Sequence, residues 1–203
     1  MALGVALVLS GCSANDSLAQ QANAGDNKNY VAGDGSVTEF AADKRGEPVK
    51  FVGTLYGGKK VDSSSFVGSV TVLNFWFAAC APCRVEAPDL EALNQELGPK
   101  GANFYGVNVR DAEGTALPFI RTFNLTYPSF EDKDGAVLLS VSATVPPAAV
   151  PTTLVLDKQG RVASRILGLA EKSTLDALIK SALNEAGPGT GTGSGSASPS
   201  AQK

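Results

Sequence analysis

An apolar run from Thr71 to Phe77 leads almost directly into Cys80-Ala81-Pro82-Cys83, where a helical pattern begins. This join constrains the chain more than any other part of it. A near-continuous apolar strand is what a sheet covered on both faces requires. A helix launched from its end is the first half of a crossover to a parallel neighbour. Leu90, Leu93 and Leu97 recur at helical spacing, and Gly98-Pro99 stops the pattern. The two thiols can close a small disulfide. The first stands at a helix N-terminus, where a thiolate is stabilised. The pattern predicts thiol–disulfide exchange, with Cys80 as the exposed attacking thiolate and Cys83, one turn in, as the buried resolving thiol.

Composition removes rivals. The 203 residues include no histidine, so Ser-His-Asp and Cys-His hydrolases, His-ligated metals and haem with an axial His are out. Zinc needs four ligands, and no second cysteine pair exists to complete a site. No metal or other cofactor is called for. The formal charge of -3 gives nucleic acid no electrostatic support as a partner.

Both ends look unable to fold. Met1 to Ser10 is almost wholly apolar and too short to span a bilayer, which fits a signal-peptide core over residues 1–12. It ends in Leu9-Ser10-Gly11-Cys12, which resembles a bacterial lipobox with Cys12 as the lipidated residue. A signal peptide should open with a basic n-region, and its absence here leads to the expectation of a start codon upstream of Met1. Residues 13–45 are rich in Ala, Asn, Asp and Gly and are expected to be a disordered tether, with a reach of roughly 30 Å. Residues 187–203, Gly/Ser/Thr-rich, are expected to be a disordered tail. With Cys12 lipidated, Cys80 and Cys83 can pair only with each other.

Residues 46–186 then form one domain. Val49 to Tyr56 and Lys60 to Asp62 flank Gly57-Gly58 as a hairpin. Asn103 to Val109 reads as a strand. Ala112 to Phe123 reads as a helix capped by Asp111 and weakened at Pro118. Pro151 to Asp157 and Arg161 to Leu167 read as a second hairpin. The last helix carries Leu175, Leu178, Ile179 and Ala182, with Ser173 and Asp176 as its capping pair. Strands alternating with helices, then a hairpin and a helix, predict an α/β fold with a mixed sheet.

Val72-Leu73-Asn74-Phe75-Trp76, then Cys80-Ala81-Pro82-Cys83-Arg84-Val85-Glu86-Ala87-Pro88, and later Pro151-Thr152-Thr153, resemble the thioredoxin fold. Within it they resemble the TlpA/ResA-like exported thiol–disulfide oxidoreductases, over about Pro48 to Asn184. The resemblance implies a central mixed sheet flanked by helices on both faces, with an N-terminal β-hairpin extension. It also implies a cis Pro151 beside the disulfide, the Val150 backbone pairing with the substrate chain, and Glu86 as an active-site carboxylate. Glu86 stands one turn beyond Cys83 and could relay its proton. Read from the residues alone, it is better taken as a solvated helix carboxylate near a positive dipole end. Asn74 stands where thioredoxins carry a buried Asp, so it cannot act as a base; otherwise it is a hydrogen-bonded polar group on an inner strand. Trp76 is expected in the core beneath the active-site loop. Pro88 is expected to kink its helix, and Arg84 to be a solvated charge.

One position departs from the resemblance. The relatives carry Trp before the first cysteine, and this chain has Ala79. The aromatic wall of the groove is then missing or supplied by Phe77. The resemblance implies an extracytoplasmic, membrane-tethered oxidoreductase, acting as a monomer on exported protein thiols. A membrane dithiol donor would reduce it, and apocytochrome c maturation is the family's best-known destination. Alternatives are a disulfide-forming oxidase or isomerase, or a lipoprotein that only binds a partner through this fold. A peroxidase would need a Thr two or three residues before the cysteine, and Phe77-Ala78-Ala79 supplies none.

Overall fold

The computed structural model describes residues 35–146 and 149–187. The apolar start, Cys12, the segment up to residue 34 and the tail from residue 188 lie outside the described residues. Seven consecutive buried residues make Val70–Trp76 (β4) the centre of a six-stranded sheet. Its parallel neighbour is Ala102–Asn108 (β5), reached through the helix Ala81–Leu97 (α1). A second helix, Glu113–Thr122 (α2), leads to the short parallel strand Ser129–Glu131 (β6). On the other side of β4, Thr152–Leu156 (β7) and Val162–Leu167 (β8) add antiparallel strands. Ser36–Glu39 (β1) closes that edge, so the order is β1-β8-β7-β4-β5-β6. This is the thioredoxin-like mixed sheet that the sequence predicts.

Alternation along β4 divides the core. Val70 and Val72 point to α1 and to Lys172–Asn184 (α4), where Leu90, Leu93, Leu175 and Ile179 bury. Leu73 and Phe75 point to the opposite face, with Phe66, Phe130 and Val137. That face is covered by the hairpin Val52–Thr54 (β2) and Lys60–Asp62 (β3), and by the one-turn helix Ala136–Ser140 (α3). Gly57 and Gly58 both adopt φ near +87°, which only glycine does freely, and this closes the hairpin.

The boundary of the expected tether is corrected. Residues 36–39 pair with β8, and the Arg45 side chain is only 6 % exposed. Its guanidinium donates to Asp157 at 2.9 Å and to Glu185 at 2.7 Å. Polar composition had pointed to disorder here, but strand pairing and a buried ion pair order the segment instead. Arg45→Ala is expected to cost about 2 kcal/mol in a urea melt, below the usual cost of breaking a buried pair because Arg161 remains on Asp157.

Two caps are also corrected. Asp111 does not cap α2; Ala112 takes that position without a side-chain bond. Glu171, not Ser173, precedes α4, and Asp176 pairs with Lys180 one turn on. Pro118 and Pro88 lie inside their helices without ending them.

Candidate active site

Cys80 is the N-cap of α1. Its backbone is extended (φ -72°, ψ 111°), and its Sγ accepts the Cys83 N–H at 3.2 Å. Pro82 follows in the first turn, where a missing N–H costs nothing and a fixed φ favours the helix. The two sulfurs are bonded at 2.07 Å. A 17-residue helix therefore points its positive end at Cys80.

Cys80 is fully buried, which corrects the expectation of an exposed thiol. With the disulfide closed, its Sγ turns inward to Cys83, and Trp76, Phe77 and Val150 pack around the pair. The neighbours Ala79 and Ala81 are exposed. Phe77 is 1 % exposed, so it does not replace the missing aromatic wall. Its ring lies under the Arg110 guanidinium, 3.8 Å from centroid to carbon. Trp76 sits where the sequence puts it, beneath the loop, its ring tilted 31° against Phe119 with centroids 4.3 Å apart, and it donates to Ser129 Oγ at 2.9 Å.

The Val150–Pro151 peptide is cis. Val150 joins the cluster of Cys80 and Cys83, and β7 begins at the next residue after Pro151. Pro151 O accepts Gly168 N–H at 2.8 Å, and Thr152 Oγ1 donates to Ala149 O at 2.7 Å. The cis turn is thus tied to the loop after β8 and to its own entry.

Glu86 is not a solvated carboxylate. It is 1 % exposed, on the inner face of α1. Asn74 Nδ2 donates to it at 2.7 Å and the Ala170 N–H at 2.8 Å. The same Asn74 amide reaches Thr153 Oγ1 at 3.1 Å. Burial raises its pKa to about 7, against the lowering effect of the two hydrogen bonds. A carboxyl in this state holds or releases a proton at neutral pH, one turn from Cys83.

Asp111 has a role that the sequence reading missed. Its carboxylate accepts the Ala78 N–H at 2.6 Å and the Asn108 amide at 2.9 Å. Its carbonyl accepts Tyr56 O–H from the hairpin at 2.9 Å. It thereby pins the loop that delivers Cys80. The signal available was Asn108-x-x-Asp111 at a strand end, which reads more easily as a helix start. Arg84 is exposed but not free in solvent; its guanidinium lies over Phe119 and Phe123.

What can react here is the disulfide, and the class in which a helix-capping pair packs beside a cis-proline on this sheet is the thioredoxin-fold thiol–disulfide oxidoreductases. The chain belongs to the AhpC/TSA family, which it matches over residues 39–165. It is similar to the thiol-disulfide oxidoreductase ResA of Bacillus thuringiensis subsp. konkukian, 29% identical over 134 residues, 66% of this chain and 75% of that one. A DsbF homologue from Corynebacterium diphtheriae has a similar structure: 33% identity, TM-score 0.64, covering 73% of this chain and 94% of that one. So does a secreted thiol-disulfide isomerase from Corynebacterium glutamicum: 29% identity, TM-score 0.66, covering 77% and 97%.

Proposed function

We propose that the protein is a membrane-tethered oxidoreductase that reduces disulfides of exported proteins, working as a monomer outside the cytoplasm. The observation that carries the exchange chemistry is the Cys80–Cys83 disulfide at the N-terminus of α1, packed on Val150 beside the cis Pro151. Once reduced by a membrane dithiol donor, Cys80 attacks a substrate disulfide as thiolate. Cys83 then attacks Cys80 and releases the substrate dithiol. Glu86 takes or returns the Cys83 proton. The backbone of Val150 pairs with the substrate chain, and Pro151 holds that edge open to it. Disulfides of exported apocytochromes c are one substrate class that fits. The tether rests on Leu9-Ser10-Gly11-Cys12, with lipid on Cys12 and residues 13–34 as the spacer.

The oxidising direction has an observation of its own. The Cys83 N–H and the end of α1 both favour a Cys80 thiolate, and whatever favours the thiolate raises the reduction potential. The exchange itself is checked by Cys83→Ser, which is expected to trap mixed disulfides with exported proteins. Failure to trap any, with Cys80 free, sinks the exchange reading. Equilibration with glutathione decides direction. A potential near about -120 mV, that of strongly oxidising exported enzymes, would replace reductase by oxidase.

A further inference from the structure

Arg165 stands on β8, opposite Thr38 of β1 and Leu154 of β7. Arg45 and Arg161 are both held by the Asp157 carboxylate. Arg165 is held otherwise. Its Nη1 donates to Thr144 O at 2.7 Å and its Nη2 to Thr38 Oγ1 at 3.1 Å. Both acceptors are uncharged, and Arg165 Nε is buried with no hydrogen-bond partner among the described residues. A part-buried guanidinium held by neutral groups costs desolvation that an apolar side chain would not. Leu154, its neighbour across the ladder, is fully buried in the apolar cluster on one face of the sheet. Packing alone gives no reason for a cation beside it.

What the guanidinium gains is a hold on the chain that leads to the cis-proline. Thr144 stands six residues before Val150. The bonds around it are mostly local. The N–H groups of Thr144 and Val145 both donate to Val141 O at 2.8 Å, and Ala149 N–H donates to Pro146 O at 2.9 Å. Val145 is buried in the same cluster as Leu154, which anchors the segment without fixing how its carbonyls point. The bond from Arg165 does fix one of them, and it comes from a sheet strand that β1 braces through Thr38. The Val150–Pro151 edge is therefore tied on both sides: Gly168 N–H holds Pro151 O, and Arg165 holds Thr144 O.

We propose that Arg165 is a positioning residue for polypeptide partners: it fixes the approach to Val150–Pro151, so that an extended chain meets an edge already in place. This rests on the exchange reading and deepens it, because it assigns the preference for polypeptide disulfides over small ones to a residue outside the site. A chain that pairs with the Val150 backbone must otherwise order that edge as it binds, and an edge ordered beforehand removes that cost. A small disulfide with no peptide backbone gains nothing from the edge. Both kinds of disulfide are attacked by the same Cys80 thiolate, so Arg165 separates them through binding and leaves the chemistry alone.

The test mixes the full chain, reduced beforehand, with an excess of a disulfide-bonded peptide or of bis(2-hydroxyethyl) disulfide. Oxidation is followed by the emission of Trp76, the one tryptophan, which packs in the cluster of Cys80 and Cys83. Arg165→Gln is expected to raise the half-saturating peptide concentration about fivefold, with the limiting rate and the rate on the small disulfide within about twofold of the parent. Arg165→Lys, which keeps a donor, should recover part of the loss. Arg161→Gln is the control: it breaks an ion pair on the same strand and should lower the urea midpoint, yet leave the preference for peptide unchanged. If Arg165→Gln does not fold, Thr38→Val decides, since it frees only Nη2; a rise of about twofold on the peptide alone supports the proposal and no change overturns it. An unchanged peptide half-saturation in Arg165→Gln, or an equal loss on both disulfides, overturns the proposal while the exchange reading stands. No reaction with either disulfide overturns the exchange reading, and this proposal with it.

Discussion

Glu86→Gln is expected to remove about 3 kcal/mol of pH dependence from the stability of the fold. The carboxyl ionises at 4.5 in an unfolded chain, but burial between α1 and β4 holds its proton up to about pH 7. Between those values the folded state binds more protons than the unfolded state. Stability contributed by the protonated group is therefore complete below pH 4.5 and is lost as pH rises through about 7. Gln cannot titrate, so the difference between the two proteins isolates this one group from every other ionisation. Guanidinium melts below pH 4.5 and above pH 7 measure it. Stability curves that stay parallel across the window would show that Glu86 ionises as an ordinary surface carboxylate. The same window bears on the chemistry. A carboxyl half-protonated near neutrality can accept the Cys83 proton, and the pH profile of exchange should lose that limb in the variant.

The strand that becomes β4 was legible because burial on both faces leaves an apolar run broken only by Thr71 and Asn74, and the step from Phe77 into Cys80 marked the join to α1. The second hairpin was legible from alternation about Lys158-Gln159-Gly160. Three elements were not. β6 is three residues long, too short for any period to appear. α3 is a single turn, set by Asp132, whose carboxylate accepts the Val137 and Leu138 N–H groups. β1 contains one large apolar residue, Val37, and that is largely exposed; pairing with β8 orders it, and pairing leaves no mark on composition.

The site divides in the same way. Cys80, Cys83 and the cis Pro151 follow from local pattern and resemblance. The burial of Glu86 does not, because its partners Asn74 and Ala170 come from β4 and from the turn before α4. Nor does Asp111 as the anchor of Ala78, since the contact spans 33 residues. Charged groups with distant partners are where a sequence read element by element misplaces function.

Gly106→Ala should destabilise the protein by about 3–4 kcal/mol, combining overpacking with a stranded buried N–H. Gly106 lies in β5 between Asn74 of β4 and Ser129 of β6. The Trp76 indole leaves β4, passes over this glycine and donates to Ser129 Oγ on the far side. A Cβ at Gly106 would stand 2.7 Å from Trp76 Nε1 and would overlap the Ser129 hydroxyl. Both neighbours are backed by packed structure, Trp76 by Phe119 at 4.3 Å and Ser129 by β6, so neither can yield cheaply. The chain has one tryptophan, so its emission reports this site alone. Gly106→Ala should shift that emission to the red as the indole N–H meets water, and should lower the urea midpoint. Gly114→Ala is the control: nothing stands within 4 Å of its Cβ, and within α2 it should gain about 0.5–1 kcal/mol. A Gly106→Ala protein within about 0.5 kcal/mol of the parent would mean that the indole does not need the bare strand. Because Trp76 and Phe119 pack in the same cluster as Cys80 and Cys83, the displaced ring should also change the reduction potential of the pair, tying a glycine in β5 to the chemistry at the start of α1.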